Sequence, residues 1–170
     1  MLREWRRPAF VVAPSGEGSL HLAEELGVYL GCTVPVLPAR GVLWGGTVLP
    51  AAHVCGERQR ALQALQEGAT VVVEAPALLE RFPPFAMQPQ PLRLASGACV
   101  AFDELPRRLV ELGYGRVEQV RGRGEFAVRG GIVDVYPTAG EPTRAEFWGD
   151  EIESLRSFSV FSQRTIAALD

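Results

Sequence analysis

The chain contains no lysine and no asparagine, and all 17 of its basic residues are arginine. Without lysine there is no P-loop residue to reach the β- and γ-phosphates of a nucleotide, and no amine for Schiff-base chemistry. Positive charge is also in deficit. Twenty acidic residues against 17 basic ones give a formal net charge of -3 and a pI near 5.5, so no global field gathers nucleic-acid phosphates. Cysteine is scarce: Cys32, Cys55 and Cys99 are far apart and odd in number. They offer neither a disulfide framework nor a C-x-x-C metal pair, a usage that fits a reducing cytoplasm, and each is expected to be a small buried hydrophobe. The two histidines, His21 and His53, lack a ligand set at metal spacing and are expected to be partly exposed structural residues. No Ser-His-acid set and no recognisable pair of catalytic carboxylates stands out, so no catalytic constellation, metal or cofactor is expected. The apolar run before Pro14 is too short for a signal-peptide core. Nothing later approaches the roughly 20 residues that span a bilayer.

What is present is enough for a core. Of 170 residues, 47% are apolar, which suits one ordinary domain or two small ones. The first half alternates strand and helix. Ala9 to Ala13 reads as an apolar strand, Ser15 to Ser19 as a Gly-rich turn with candidate N-caps, and Leu22, Leu26, Tyr29 and Leu30 recur at helical spacing until Gly31. Amides at a helix start bind anions in some proteins, but APSGEGSLHL does not match G-x-x-x-x-G-K-[ST], and the turn reads as structural. Thr33 to Leu37 is a second strand, Pro38 to Pro50 a Gly- and Pro-rich loop containing Trp44, and Arg58 to Glu67 a helix closed by Gly68. Thr70 to Val73 is a third strand of β-branched character, and Pro76 to Arg81 a helical turn or two. Continuous apolar strands between helices specify a parallel, covered sheet. The segment PPFAMQPQP holds four prolines in nine residues, which forbids regular structure and places a domain junction there, giving domains 1–90 and 91–170.

The second half changes pattern. Asp103 is a good N-cap for a helix carrying Leu105, Leu109 and Leu112 up to Gly113, and Val117 and Val120 read as a strand. The stretch Gly124 to Arg156 then shows two-residue alternation. If Gly130-Gly131 forms a two-residue turn, Val128 lies opposite Val133 and Phe126 opposite Val135. Glu125, Arg129, Asp134 and Tyr136 then share the other face. Ala145 and Phe147 alternate in the same way with Arg144, Glu146 and Trp148, and Gly149-Asp150 is a second turn signal. A Trp among an Arg and acids on a face that alternation leaves in water suggests a contact surface. The chain is thus α/β (α+β overall): a parallel α/β layer followed by a small antiparallel sheet with a helix.

Read together, GYGRVEQV, GEFAVRGGIVDVYP, EFWGDEIESLRSF and SQRT resemble the corresponding run of the transcription-repair coupling factors, the Mfd proteins of bacteria, and in looser form that of the excision-repair protein UvrB. The resemblance is specific over roughly residues 92 to 166, and the SQRT of Ser162 to Thr165 favours the coupling factors. Upstream, GERQRALQAL and TVVVEAPALLERFPP resemble a helix, strand and short helix of the same family. The resemblance implies that the first domain is a truncated, P-loop-NTPase-like nucleotide fold whose P-loop would lie before residue 1, and that this region does not hydrolyse ATP. It implies that the second is the UvrB-like domain that docks UvrA, the damage-sensing ATPase of nucleotide excision repair. The family's contact positions fall on Arg129, Arg144 and Trp148; the aromatic is usually Phe, so Trp148 departs in size. Glu125 and Glu146 are placed to support and orient the two arginines. The family also implies cytoplasmic location and further domains absent from these residues: an RNA-polymerase-binding module, a translocase and a C-terminal masking domain.

Two other classes remain open on sequence alone. Arg116, Arg121, Arg123 and Arg129 cluster as they would in a DNA-binding module, although the acidic balance weighs against DNA contact. A helicase-like remnant that still binds a nucleotide is the other.

Overall fold

The computed structural model describes residues 9–42, 47–82, 84 and 90–169. Trp44 and most of the proline-rich junction lie outside them. By internal contacts the chain separates into two compact units, 1–83 and 84–170.

In the first unit, β1 (Ala9–Ala13), α1 (Glu17–Leu30), β2 (Val36–Leu37), α2 (Ala52–Gln66) and β3 (Thr70–Glu74) follow in order, and a 3-10 helix covers Ala75–Leu79. The strands form a parallel sheet in the order β1-β3-β2. Central β3 is buried on both faces, which explains its unbroken valines. Val72 packs with Ala13, Ala23 and Val34 under α1, while Val71 and Val73 pack with Leu37, Ala61 and Leu65 under α2. The Gly31 stop is left-handed at φ 71, as a helix C-terminus favours. Three expectations are corrected. The second strand holds only Val36 and Leu37, because Pro35 has no N–H for a ladder; its carbonyl accepts from Val72 N–H instead. The helix expected from Arg58 begins at Ala52. Cys32, Cys55 and Cys99 are all exposed, at a helix end, on the outer side of α2 and at an isolated bridge to Glu151.

The second unit contains α3 (Glu104–Glu111), β4 (Gly115–Arg116), β5 (Glu125–Arg129), β6 (Ile132–Tyr136), β7 (Thr143–Trp148), β8 (Glu151–Phe158) and β9 (Thr165–Ala168). They form one six-stranded sheet in chain order, antiparallel except for the parallel pair β4-β5. Val117 and Val120 are not in a strand, contrary to expectation. Glu125 accepts from the amides of Arg121 and Gly122 and turns the chain there, and the two valines pack against Ala127 and Phe158 instead. Asp103 occupies the N-cap position of α3 without a side-chain cap bond. The helix end does follow its sequence signal: Gly113 takes φ 88, Tyr114 N–H reaches Leu109 O and Gly113 N–H reaches Val110 O, a Schellman closure.

The main core lies on one face of this sheet, where Phe126, Val133, Val135, Ala145, Phe147, Ile152 and Leu155 pack with Leu105 and Leu109 of α3. Both hairpins have the expected two-residue turns. Val128 pairs with Val133 and Phe126 with Val135. A Cβ on Gly131 would stand 3.0 Å from the carbonyl oxygen of Phe147, a tight contact that a larger residue could make only if the β7 backbone shifted by a few tenths of an ångström. Between β7 and β8 the pairing jumps from Glu146–Ser154 to Phe147–Ile152, a bulge at Glu153. The extra residue lets Ile152 and Leu155, three apart, both face the core.

Candidate functional site

The opposite face of the same sheet carries the polar set. Arg144 lies directly across from Asp134, Glu146 from Ile132, and Arg129 at the end of β5 pairs with Ile132. Arg129, Asp134, Arg144, Glu146 and Trp148 therefore share one face, because side chains two apart on a strand point the same way and cross-strand partners point together.

This face is only partly wet. Asp134 is 1% exposed, yet it is a carboxylate, flanked in the sheet by Ala127 on β5 and Arg144 on β7. Burying that charge is unfavourable unless it is paired, and both arginines pair with it. Arg144 donates from Nε to Oδ1 at 2.7 Å and from Nη2 to Oδ2 at 2.9 Å, a two-pronged match of planar groups. Arg129 donates from Nη2 to Oδ2 at 2.6 Å. Arg144 also donates from Nη1 to Gln163 O and lies 5.0 Å over the Phe158 ring. The hydrogen bonds to Asp134 raise the Arg144 pKa above its ordinary value, outweighing the opposing effect of burial. Arg144 therefore stays charged across any working pH.

The exposure of the two arginines separates their roles. The Arg144 side chain is 13% exposed and largely consumed by protein partners; that of Arg129 is 48% exposed, with Nη2 on Asp134. Trp148 is 82% exposed beside the Gly149-Asp150 turn. The two acids expected to support the arginines make their hydrogen bonds elsewhere. Glu125 binds the backbone amides described above, and Glu146 accepts from Ser154 Oγ at 2.8 Å, touching Arg144 only through its longer-range field. The orienting carboxylate is Asp134. Sequence alternation puts Asp134 on this face, but the six-residue connection from β6 to β7 does not fix register as a two-residue turn does, so its position opposite Arg144 does not follow from spacing.

In the first unit, the Gly-rich turn already holds a carboxylate. The Glu74 carboxylate, at the end of β3, accepts from Gly16 N–H at 3.0 Å, Ser19 Oγ at 3.1 Å and Ala39 N–H at 2.8 Å. A phosphate would have to displace this charge. Glu74→Ala leaves those donors without their partner and is expected to destabilise α1 by about 2 kcal/mol; hydrogen exchange of amides in residues 17–30 reads the effect as faster exchange. His21 and His53 are exposed, and His21 approaches Glu25 at 3.9 Å. Among the described residues no group of three His, Cys, Asp or Glu side chains is arranged to hold a metal ion, and no helix is long and apolar enough to cross a membrane.

Residues 92–170 match the family described as the UvrB interaction domain. Over 96% of its length the chain is 42% identical to the transcription-repair-coupling factor of Mycobacterium bovis, 39% identical to that of Myxococcus xanthus and 30% identical to that of Escherichia coli. It spans about 14 to 15% of the length of these curated relatives. Its polar sheet face thus lies within the matched domain, and the chain belongs with the transcription-repair coupling factors, as a segment that carries their UvrB interaction domain.

Proposed function

We propose that this chain is a non-catalytic docking module that recruits UvrA, with residues 91–170 as the docking domain and residues 1–90 as a nucleotide-type fold without a P-loop. Arg129 and Trp148 are the side chains that meet the partner; Arg144 and Asp134 form the buried frame that aims Arg129. The observation that carries this reading is the pairing of a half-exposed Arg129 and an exposed Trp148 on one rigid sheet face. A guanidinium held by one edge presents its other N–H groups as a fixed fork, which suits a carboxylate on the partner. The exposed Trp supplies apolar area beside it, the combination typical of interface anchors. The partner patch is therefore acidic with an apolar neighbour. The other domains of a coupling factor, the RNA-polymerase-binding, translocase and masking domains, are further partners of this module in the longer protein, which acts in the cytoplasm.

The test is a titration of the chain with purified UvrA, alongside a random-sequence oligonucleotide and a nucleotide-turnover assay. Saturable binding to UvrA with negligible binding to DNA and no turnover is the expected result. Steep salt-dependent binding to the oligonucleotide would replace it with the DNA-binding reading. ATP turnover by the chain alone would favour the enzymatic one.

A further inference from the structure

Phe161 stands further into water than any other large apolar side chain among the described residues, at 96% exposed, and the docking face as built above gives it no role. It sits at the tip of the turn that joins β8 to β9. That turn is tightly held. Ser159 N–H donates to Arg164 O at 2.9 Å and Gln163 N–H to Ser159 O at 2.7 Å. The Gln163 side chain donates from Nε2 to Val120 O at 3.1 Å and to Val160 O at 2.8 Å. Gln163 itself takes φ 58, a left-handed conformation that residues other than glycine keep only where the surroundings over-determine it. Val160 packs into the small cluster with Phe158 and Ala127, so the turn folds onto the polar face of the sheet and not onto the α3 side.

The turn is also joined to the arginine frame. The carbonyl of Gln163 accepts from Arg144 Nη1 at 3.2 Å. Thr143 pairs with Ser157 and Phe158 N–H reaches Pro142 O, so this turn lies beyond the Thr143 end of β7, whereas Trp148 closes the other end at Glu151. From Arg144 to Trp148 the strand rises about 13 Å at 3.3 Å per residue. The two exposed aromatics therefore flank the Arg129–Asp134–Arg144 cluster along one direction, a span that a standard interface covers.

A phenylalanine on a mobile loop would be ordered only on binding, at an entropic cost. On a pinned turn that ordering is already present in the free protein. We propose that Phe161 is a second aromatic anchor of the docking surface, entering an apolar socket on UvrA at the far side of the acidic patch that receives Arg129. This rests on the docking reading and adds a contact to it.

The experiment measures UvrA affinity for the full chain and for Phe161→Ser, Phe161→Leu and Val110→Ser, with thermal unfolding of each. Val110 is an exposed apolar residue on α3, on the other side of the sheet, and controls for general loss of surface hydrophobicity. Phe161→Ser is expected to weaken binding about tenfold or more, as loss of an anchor does. Phe161→Leu should keep most of the affinity, Val110→Ser all of it, and the unfolding midpoint of Phe161→Ser should match wild type. Wild-type affinity in Phe161→Ser, while Arg129→Ala is impaired, overturns the Phe161 anchor and leaves the docking reading standing. Absence of UvrA binding by the wild-type chain overturns both.

Discussion

Asp134→Ala is expected to destabilise the second unit by about 3 to 5 kcal/mol, the usual cost of removing one partner from a buried ion pair. This is a large part of the 5 to 15 kcal/mol that holds a typical domain together. The cause is not the lost attraction alone. Arg144 has 13% of its side chain exposed, and without Asp134 its Nε and one Nη lose the carboxylate that replaced their water. Urea unfolding followed by a probe in residues 91–170 measures the change. A second variant separates pairing from packing. Replacing Asp134 and Arg144 together by leucine removes both charges from the same pocket beside Phe158 and Ala127, and such replacements of buried pairs are often neutral. The double variant should recover much of the stability lost in Asp134→Ala while leaving Arg129 without its anchor. Equal instability of the single and double variants would contradict the ion-pair account.

Arg129→Ala is expected to weaken UvrA binding by about 2 to 5 kcal/mol, roughly thirtyfold or more, if its guanidinium meets a buried carboxylate on the partner. Its stability should change by less than about 1 kcal/mol, because half of the side chain is solvated and Asp134 keeps both bonds from Arg144. Arg144→Ala behaves differently. It strips Asp134 of its two-pronged partner and Gln163 O of a donor, so it lowers stability and affinity together. Affinity loss in Arg144→Ala alone therefore says little about contact, and only the comparison with Arg129→Ala assigns the roles. Equal stability loss in the two variants would show that the separation of frame and contact is wrong.

Much of this arrangement follows from local rules. Gly130-Gly131 and Gly149-Asp150 are two-residue turns, and such turns fix pairing, so the Phe126–Val135 and Val128–Val133 partners and the outward Trp148 follow from spacing. Gly31 and Gly113 end their helices for the same kind of reason, the left-handed conformation that glycine adopts freely. What spacing misses depends on contacts between distant residues. The bulge at Glu153 breaks the period of two inside β8, and nothing in EIESLRSF announces which residue is extra. Val117 and Val120 alternate too poorly to separate a strand from a packed loop, and the loop is set by Glu125 reaching back to two amides. Burial of Asp134 is the most consequential case. An acid between valines on an alternating strand reads as solvent-facing, and it is the two arginines reaching across from neighbouring strands that hold it out of water. The cysteines fail for the converse reason: the general tendency of free Cys to be buried yields to their places at element ends and on an outer helix face.

The most direct test is the affinity of UvrA for the wild-type chain and for Arg129→Ala, each verified to unfold at the same urea concentration. Saturable wild-type binding that weakens about thirtyfold or more in the variant is the expected result. No binding by the wild-type chain, or equal binding by both, would contradict the assignment of this sheet face as the docking surface.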